Sequence, residues 1–424
     1  METYRDFVLF IQEKFAHPGF QKHSKNMSWM FFAKIGSMAI TFFATAYIAR
    51  NLGPTNYGEL SYAISFVGLF SFIAYLGIDQ ILHRDLIKYP EKRNELLGSA
   101  ILLRIVAAIV TIIIITVTAF FMSSKDVSLL LIFIISLSTF FGAFQLLSYE
   151  FQAAAQSKYP SILLLCIVVI LNLLKIITIY YGQGVIYLAG IVLLEPILYS
   201  VGYLYLKARI YKDLMKLTVT RKSMTLILKD SFPLIFASAF FLIYSRIDQV
   251  MLKNMIGAEA VGLYDSAVRI SELSYFIPQL ILVALLPAIV NAKTTSIELY
   301  YKRTKKLLFT ILGISLVVAL SITVLAKYLL LIIFGGAFLG ALPALYICAW
   351  STVGASLNSF AQQILVVENA TKNVTVAAFL GMITNVLLNL LFIPHYGISG
   401  AALATLISYT VPFLSLFLFK ETRK

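Results

Sequence analysis

The sequence predicts an all-helical protein that crosses a membrane many times, and three observations carry that prediction. Apolar residues make up 60% of the 424 and charged residues only 13%, against about half and about a quarter in soluble globular chains. Mean hydropathy is +0.88. The apolar residues gather in runs of about 20, the length a helix needs to cross the hydrocarbon of a bilayer.

Twelve runs qualify, near 28–49, 57–82, 97–121, 128–150, 161–181, 185–206, 231–255, 262–290, 306–326, 338–366, 374–394 and 399–419. The stretch Tyr328–Phe334 is an apolar extension that either lengthens the ninth run or re-enters the membrane. Residues 1–27 carry charges of both signs, so the first run reads as a span and not as a removed leader. Within them, Tyr4–Phe15 mixes apolar and charged residues and suits a short amphipathic helix on the membrane surface.

Lys and Arg set the orientation. With a cytoplasmic N-terminus, the segments on the inner side hold twenty-five of them and those on the outer side four. Both termini are therefore expected in the cytoplasm. The longest polar break, 207–230, separates six runs from six. The expected organisation is an N-terminal segment 1–27, an N-lobe 28–206, a cytoplasmic linker 207–230, a C-lobe 231–419 and a tail 420–424.

The halves share a faint repeat. Leu52-Gly53-Pro54-Thr55-Asn56-Tyr57-Gly58 follows the first run, and Ile256-Gly257-Ala258-Glu259-Ala260-Val261-Gly262 follows the seventh, 204 positions later. Ala63 then matches Ala267, Tyr181-Gly182 matches Tyr396-Gly397, Pro196 matches Pro412 and Asn172 matches Asn385. Six spans per half give both halves one orientation, so the expected fold is two pseudo-symmetric six-helix lobes around a central cavity. Rocking of such lobes is the mechanics of a transporter.

Other function classes find little support. The net charge of +14 follows the positive-inside pattern and does not form a nucleic-acid-binding face. Cys166 and Cys348 sit singly inside apolar runs, and His17, His23, His83 and His395 form no metal-binding pair. No phosphate-cradling Gly-rich loop of the P-loop type occurs. No enzyme activity, cofactor or metal is expected.

Leu52-Gly53-Pro54-x-x-Tyr57-Gly58, Asp248 followed by Gly257, Val261-Gly262-x-Tyr264 and Ala267, and the run Ile393-Pro394-His395-Tyr396-Gly397-Ile398-Ser399-Gly400-Ala401-Ala402 together resemble one family. It is the Wzx-type O-antigen and polysaccharide flippases of the multidrug/oligosaccharidyl-lipid/polysaccharide exporter superfamily. The resemblance covers essentially the whole chain. It implies translocation of undecaprenyl-pyrophosphate-linked oligosaccharide repeat units across the bacterial cytoplasmic membrane. It also implies contact with membrane lipids and with proteins of the polysaccharide assembly pathway. A drug/cation antiporter of the same superfamily, a lipid-linked peptidoglycan precursor flippase and a membrane-embedded polymerase or glycosyltransferase are the rival readings. The polymerase would show a large outer loop, and no such loop is read here.

An ionisable residue inside a span is costly, which makes it a functional candidate. A pyrophosphate needs fixed cations, and Arg grips phosphate oxygens bidentately. Arg246, Arg269 and Lys34 lie in spans that the resemblance places around the cavity, and Arg104 and Lys175 are lesser candidates. Asp265, Arg269 and Glu272 share one helical face at i, i+4 and i+7, so they also read as a self-neutralising scaffold. Arg104 and Lys175 have the alternative of pairing with Glu150 or Asn172. Asp248 reads either as an ion-coupling group or as a local structural partner.

Overall fold

The computed structural model describes residues 18–122, 127–213, 216–368 and 370–418, and Tyr4–Phe15 and the 420–424 tail lie outside them. The described residues are helical throughout, with no strand among them. In chain order they form α1 (Pro18–Tyr75), α2 (Ile78–Lys88), α3 (Arg93–Met122), α4 (Val127–Ser136), α5 (Ser138–Gly142), α6 (Leu147–Ala153), α7 (Lys158–Tyr180), α8 (Val185–Ile210), α9 (Arg221–Met255), α10 (Ala258–Thr295), α11 (Ile297–Leu329), α12 (Leu342–Val367) and α13 (Thr371–Ser415).

Among the described residues, ten helical stretches are long and apolar enough to cross a membrane, against twelve predicted runs. The difference has a local cause. Asn26–Lys88 is 63 residues long and Lys372–Ser415 is 44. At about 1.5 Å per residue, each exceeds twice the roughly 30 Å of hydrocarbon. Each is also interrupted by a glycine off the helical backbone, Gly53 (φ 74°, ψ 168°) in α1 and Gly397 (φ 58°, ψ −132°) in α13. Pro54 and Pro394 flank these breaks, and each lacks the N–H that would carry the helix on. Each of these two stretches therefore holds two of the predicted runs, as two helices that meet at a kink. Tyr328–Phe334 lengthens the ninth predicted run: α11 continues through a π turn, Leu330–Phe334, and stops at Gly335 (φ 90°).

Two further expectations are refined. The fourth run is segmented into α4, α5, a 3-10 turn at Ala143–Leu146 and α6. The 207–230 break is largely helical, since α8 runs to Ile210 and α9 starts at Arg221 under a Thr220 N-cap.

The repeat appears in the backbone. Gly53 and Gly257, one offset apart, both have positive φ (74° and 137°), as do Gly182 and Gly397 (69° and 58°). Gly58 and Gly262 then meet face to face. A Cβ on Gly58 would lie 1.8 Å from the Ala258 carbonyl oxygen, and one on Gly262 would lie 2.0 Å from that of Pro54. Only glycine permits this backbone approach, as small residues do at packed membrane helices. The equivalent segments of the two lobes thus pack backbone against backbone, and this junction is here called the closed end. Large apolar side chains such as Phe43, Phe121 and Ile332 stay 67%, 81% and 73% exposed, as a lipid-facing exterior requires.

Candidate functional site

A cavity runs between α1, α7, α8 and α10. Its deeper section, about 350 Å³, is lined by Lys34, Phe42, Glu195, Tyr199, Arg269 and Glu272 among others. A second section of about 470 Å³ shares Lys34 and Leu164 with the first and adds Met27, Phe31, Gln152, Tyr203 and Phe276. The cavity thus extends from mid-molecule toward the Pro18 end of α1, away from the Gly58–Gly262 junction. Its inner section is charged and its outer section mostly apolar.

Of the five predicted cations, Lys34 and Arg269 line this cavity. Arg269 sits between two environments. Its Nε donates to Asp265 Oδ2 at 2.7 Å and to the Tyr57 hydroxyl at 2.8 Å. Its terminal nitrogens make no hydrogen bond among the described residues, and the side chain keeps 28% of its exposure.

Asp265 is the hub of the closed end. The Tyr57 hydroxyl donates to it, Ser61 does so at 3.1 Å, and Gln249 Nε2 donates at 2.9 Å. Ser65 in turn donates to Gln249. The second limb of α1, α9 and α10 are tied together by this one buried carboxylate. The scaffold pairing considered for Arg269 thus exists as an ion pair with Asp265, and Glu272 adds only a longer-range attraction to Arg269. Glu272 makes no ion pair among the described residues and faces the cavity instead.

Arg246 is not among the residues lining the two cavity sections. Its Cγ occupies the space left by Gly68, 3.9 Å from where a Cβ would stand, and its charge acts on Asp265. Lys175 is within electrostatic reach of Glu195 and Arg269. Arg104 departs from expectation. It is buried, pairs with Asp79, donates to the Tyr75 carbonyl at 3.4 Å and stacks on the Tyr75 ring at 5.1 Å. It therefore clamps α3 to the α1–α2 junction, and Glu150 is not its partner.

Glu150 pairs with Lys207 at 3.0 Å and with Arg93 at 2.8 Å. Lys207 also reaches Asp213 at 3.0 Å and Asn94 at 3.2 Å. Lys207, the first residue of the expected 207–230 linker, is fully buried. Three elements converge on it there, which no local pattern announces. Burial raises the Asp213 carboxyl, but hydrogen bonds from Lys207 and Asn94 and the charges of Lys207 and Arg93 outweigh it, so it sits below the usual carboxylate range.

Asp248 has a different setting. It is 4% exposed and accepts from Tyr264 (2.8 Å), Asn389 (2.5 Å) and Thr405 (2.5 Å). Asn389 donates to Asn385 at 3.0 Å, and Asn385 donates to Ser408 at 3.3 Å. No basic side chain pairs with Asp248 among the described residues. A buried carboxylate held only by neutral hydrogen-bond donors, with no basic partner, is a place where a proton can be taken up. Asn389 and Thr405 escaped the sequence reading, because single Asn and Thr residues in apolar helices carry no spacing signal. No group of three or more His, Cys, Asp or Glu side chains able to hold a metal occurs among the described residues.

Comparison with known proteins adds the following. Residues 24–293 match the family described as polysaccharide biosynthesis protein, and residues 233–391 match the MatE family. An uncharacterized membrane protein of Methanocaldococcus jannaschii is 24% identical over 433 residues, covering 93% of this chain and 83% of that protein. The inward-facing conformation of a multidrug resistance MATE family transporter of the MOP superfamily superposes with a TM-score of 0.75 at 16% identity, covering 91% of this chain and 94% of that one. The lipid II flippase MurJ in its inward closed conformation gives 0.71 at 17% identity, covering 93% and 86%. At these identities the solved structures share the fold.

Proposed function

The chain belongs to the polysaccharide biosynthesis protein family, and from that premise we propose that it is a flippase for undecaprenyl-pyrophosphate-linked oligosaccharide repeat units. It moves them from the inner to the outer leaflet of the cytoplasmic membrane by alternating access, for O-antigen, capsule or a related surface polysaccharide. Proteins that assemble the polysaccharide take up the product.

The observation that carries the reading is the cavity holding Lys34 and Arg269 at its charged inner section, with Met27, Phe31 and Phe276 along its apolar section. A diphosphate fits the first and an isoprenoid chain the second. The lobes 28–206 and 231–419 rock about the linker 207–230. The Pro18 end faces the cytoplasm, in keeping with the basic-residue asymmetry, and the Gly58–Gly262 junction with its Asp265 network is the outer gate. Asp248 is the coupling group, since binding and release of a proton or cation at a buried lone carboxylate changes the charge of the C-lobe core.

Flipping of a fluorescent farnesyl-diphosphate-linked sugar in proteoliposomes tests this. Wild-type protein is expected to make the outer probe pool inaccessible to a membrane-impermeant quencher faster than empty vesicles do. Equal rates would sink the flippase reading, and inhibition only by lipophilic cations would favour a drug antiporter. Asp248→Asn is expected to remove the response of the flipping rate to an imposed Na⁺ or proton gradient while probe binding persists. A gradient response unchanged in Asp248→Asn would take the coupling role from this residue.

A further inference from the structure

Resting on the flippase reading, we propose that Glu195 of α8 and Glu272 of α10, in the cavity wall formed with Tyr199 and Tyr203 of α8, bind the sugar that adjoins the diphosphate and set the preference for a glycosylated carrier. The three α8 residues stand at i, i+4 and i+8 and therefore share one helical face. The rings of Tyr199 and Tyr203 are stacked, with centroids 6.1 Å apart and planes within 17°. Tyr199 lines the charged section of the cavity and Tyr203 the section beyond it, so the aromatic strip spans both.

Glu195 and Glu272 line the same section as Lys34 and Arg269, and neither makes a hydrogen bond or ion pair among the described residues. In a cavity that received only a polyanion, two such carboxylates would repel the ligand. An ionised carboxylate only accepts hydrogen bonds, so donors on a ligand can replace the water that these two side chains otherwise meet in the cavity. Sugar hydroxyls next to the diphosphate are donors of that kind. Tyr199 and Tyr203 are 6% and 8% exposed, so they wall the cavity and leave the polar contacts with the sugar to the carboxylates. The cavity thus presents cations for the diphosphate and carboxylates for the adjoining ring.

The test compares two probes on full-length protein in nanodiscs: farnesyl diphosphate and farnesyl-diphosphate-N-acetylglucosamine. Wild-type protein is expected to bind the glycosylated probe about tenfold more tightly or better. Glu195→Gln and Glu272→Gln each keep the side-chain shape and are expected to reduce that preference by about tenfold, the worth of a hydrogen bond to a charged acceptor. Their affinity for farnesyl diphosphate is expected to hold or rise, which also reports that they are folded. Lys34→Gln combined with Arg269→Gln is expected to weaken both probes alike. Equal wild-type affinity for the two probes overturns the proposal. Gln variants that strengthen both probes alike also overturn it, because the carboxylates would then only trim the positive charge of the cavity. If wild-type protein binds neither probe, the flippase reading itself falls, and that failure is distinct from binding without sugar preference.

Discussion

Replacing Lys34 and Arg269 together by Gln is expected to lower kcat/KM for flipping by about 100-fold or more, and to abolish surface-glycan export while the protein remains in the membrane. Each contributes a charge-assisted bond to phosphate, and such bonds are worth about 1.5–3 kcal/mol, or roughly one to two decades of affinity apiece. Arg269 is expected to contribute the larger share, because its Nε is already held by Asp265 and Tyr57. That anchoring pre-orients the free end of the guanidinium, so less side-chain entropy is lost on binding. Arg269→Lys is expected to rescue part of the rate, since it retains the charge and loses the fork. Asp265→Asn separates gate from ligand. It releases one anchor but leaves the Arg269 charge in the cavity, so it is expected to loosen the closed end and to weaken diphosphate binding less than Arg269→Gln does. Arg246→Gln is expected to have a smaller effect than Arg269→Gln, because Arg246 packs against Gly68 beside the Asp265 network. Normal flipping in the Lys34/Arg269 double variant would rule out this cation pair and move the search to Lys175.

The largest expected effect on stability is at Lys207. Lys207→Met preserves the length and apolar stem of the side chain but leaves the buried Glu150 and Asp213 with Arg93 as their cation. Breaking a buried ion pair from one side costs about 3–5 kcal/mol. Titration of the purified protein with a denaturing detergent measures this as an earlier unfolding midpoint. The pH dependence follows from the same cluster. The folded Asp213 carboxyl sits below its ordinary value, so its stabilisation is present above the unfolded pKa, near 4, and is lost as pH falls through the lower folded value. Wild-type protein is therefore expected to lose midpoint stability on acidification below about pH 4, and Lys207→Met to show a smaller loss there. An unchanged midpoint in Lys207→Met would show that Arg93 alone balances both carboxylates.

Much of the fold was legible because the bilayer imposes a simple rule. Every backbone polar group must be satisfied within the helix, so spans announce themselves as long apolar runs. The glycines of Leu52-Gly53-Pro54 and Tyr396-Gly397 were legible as breaks, since left-handed backbone and missing N–H groups are properties of single residues. What they do to the joint between helices was not legible. Whether two runs join through a loop or meet directly at a kink depends on which residues pack beside the break, as Gly58 and Gly262 do across the lobes.

The candidate site divides in the same way. The sequence by itself established which charges sit in apolar runs, that Asp265 and Arg269 share a helical face, and that the halves repeat. Only the tertiary structure decided the partners. It assigned Arg104 to Asp79, Lys207 to Glu150 and Asp213, and Asp248 to Tyr264, Asn389 and Thr405. Local spacing determines what lies on one helix face. The rotation of that helix and the identity of its neighbour determine whether a charge meets a counter-charge, a shell of neutral dipoles or a cavity. Those are properties of long-range packing, and no window of sequence contains them.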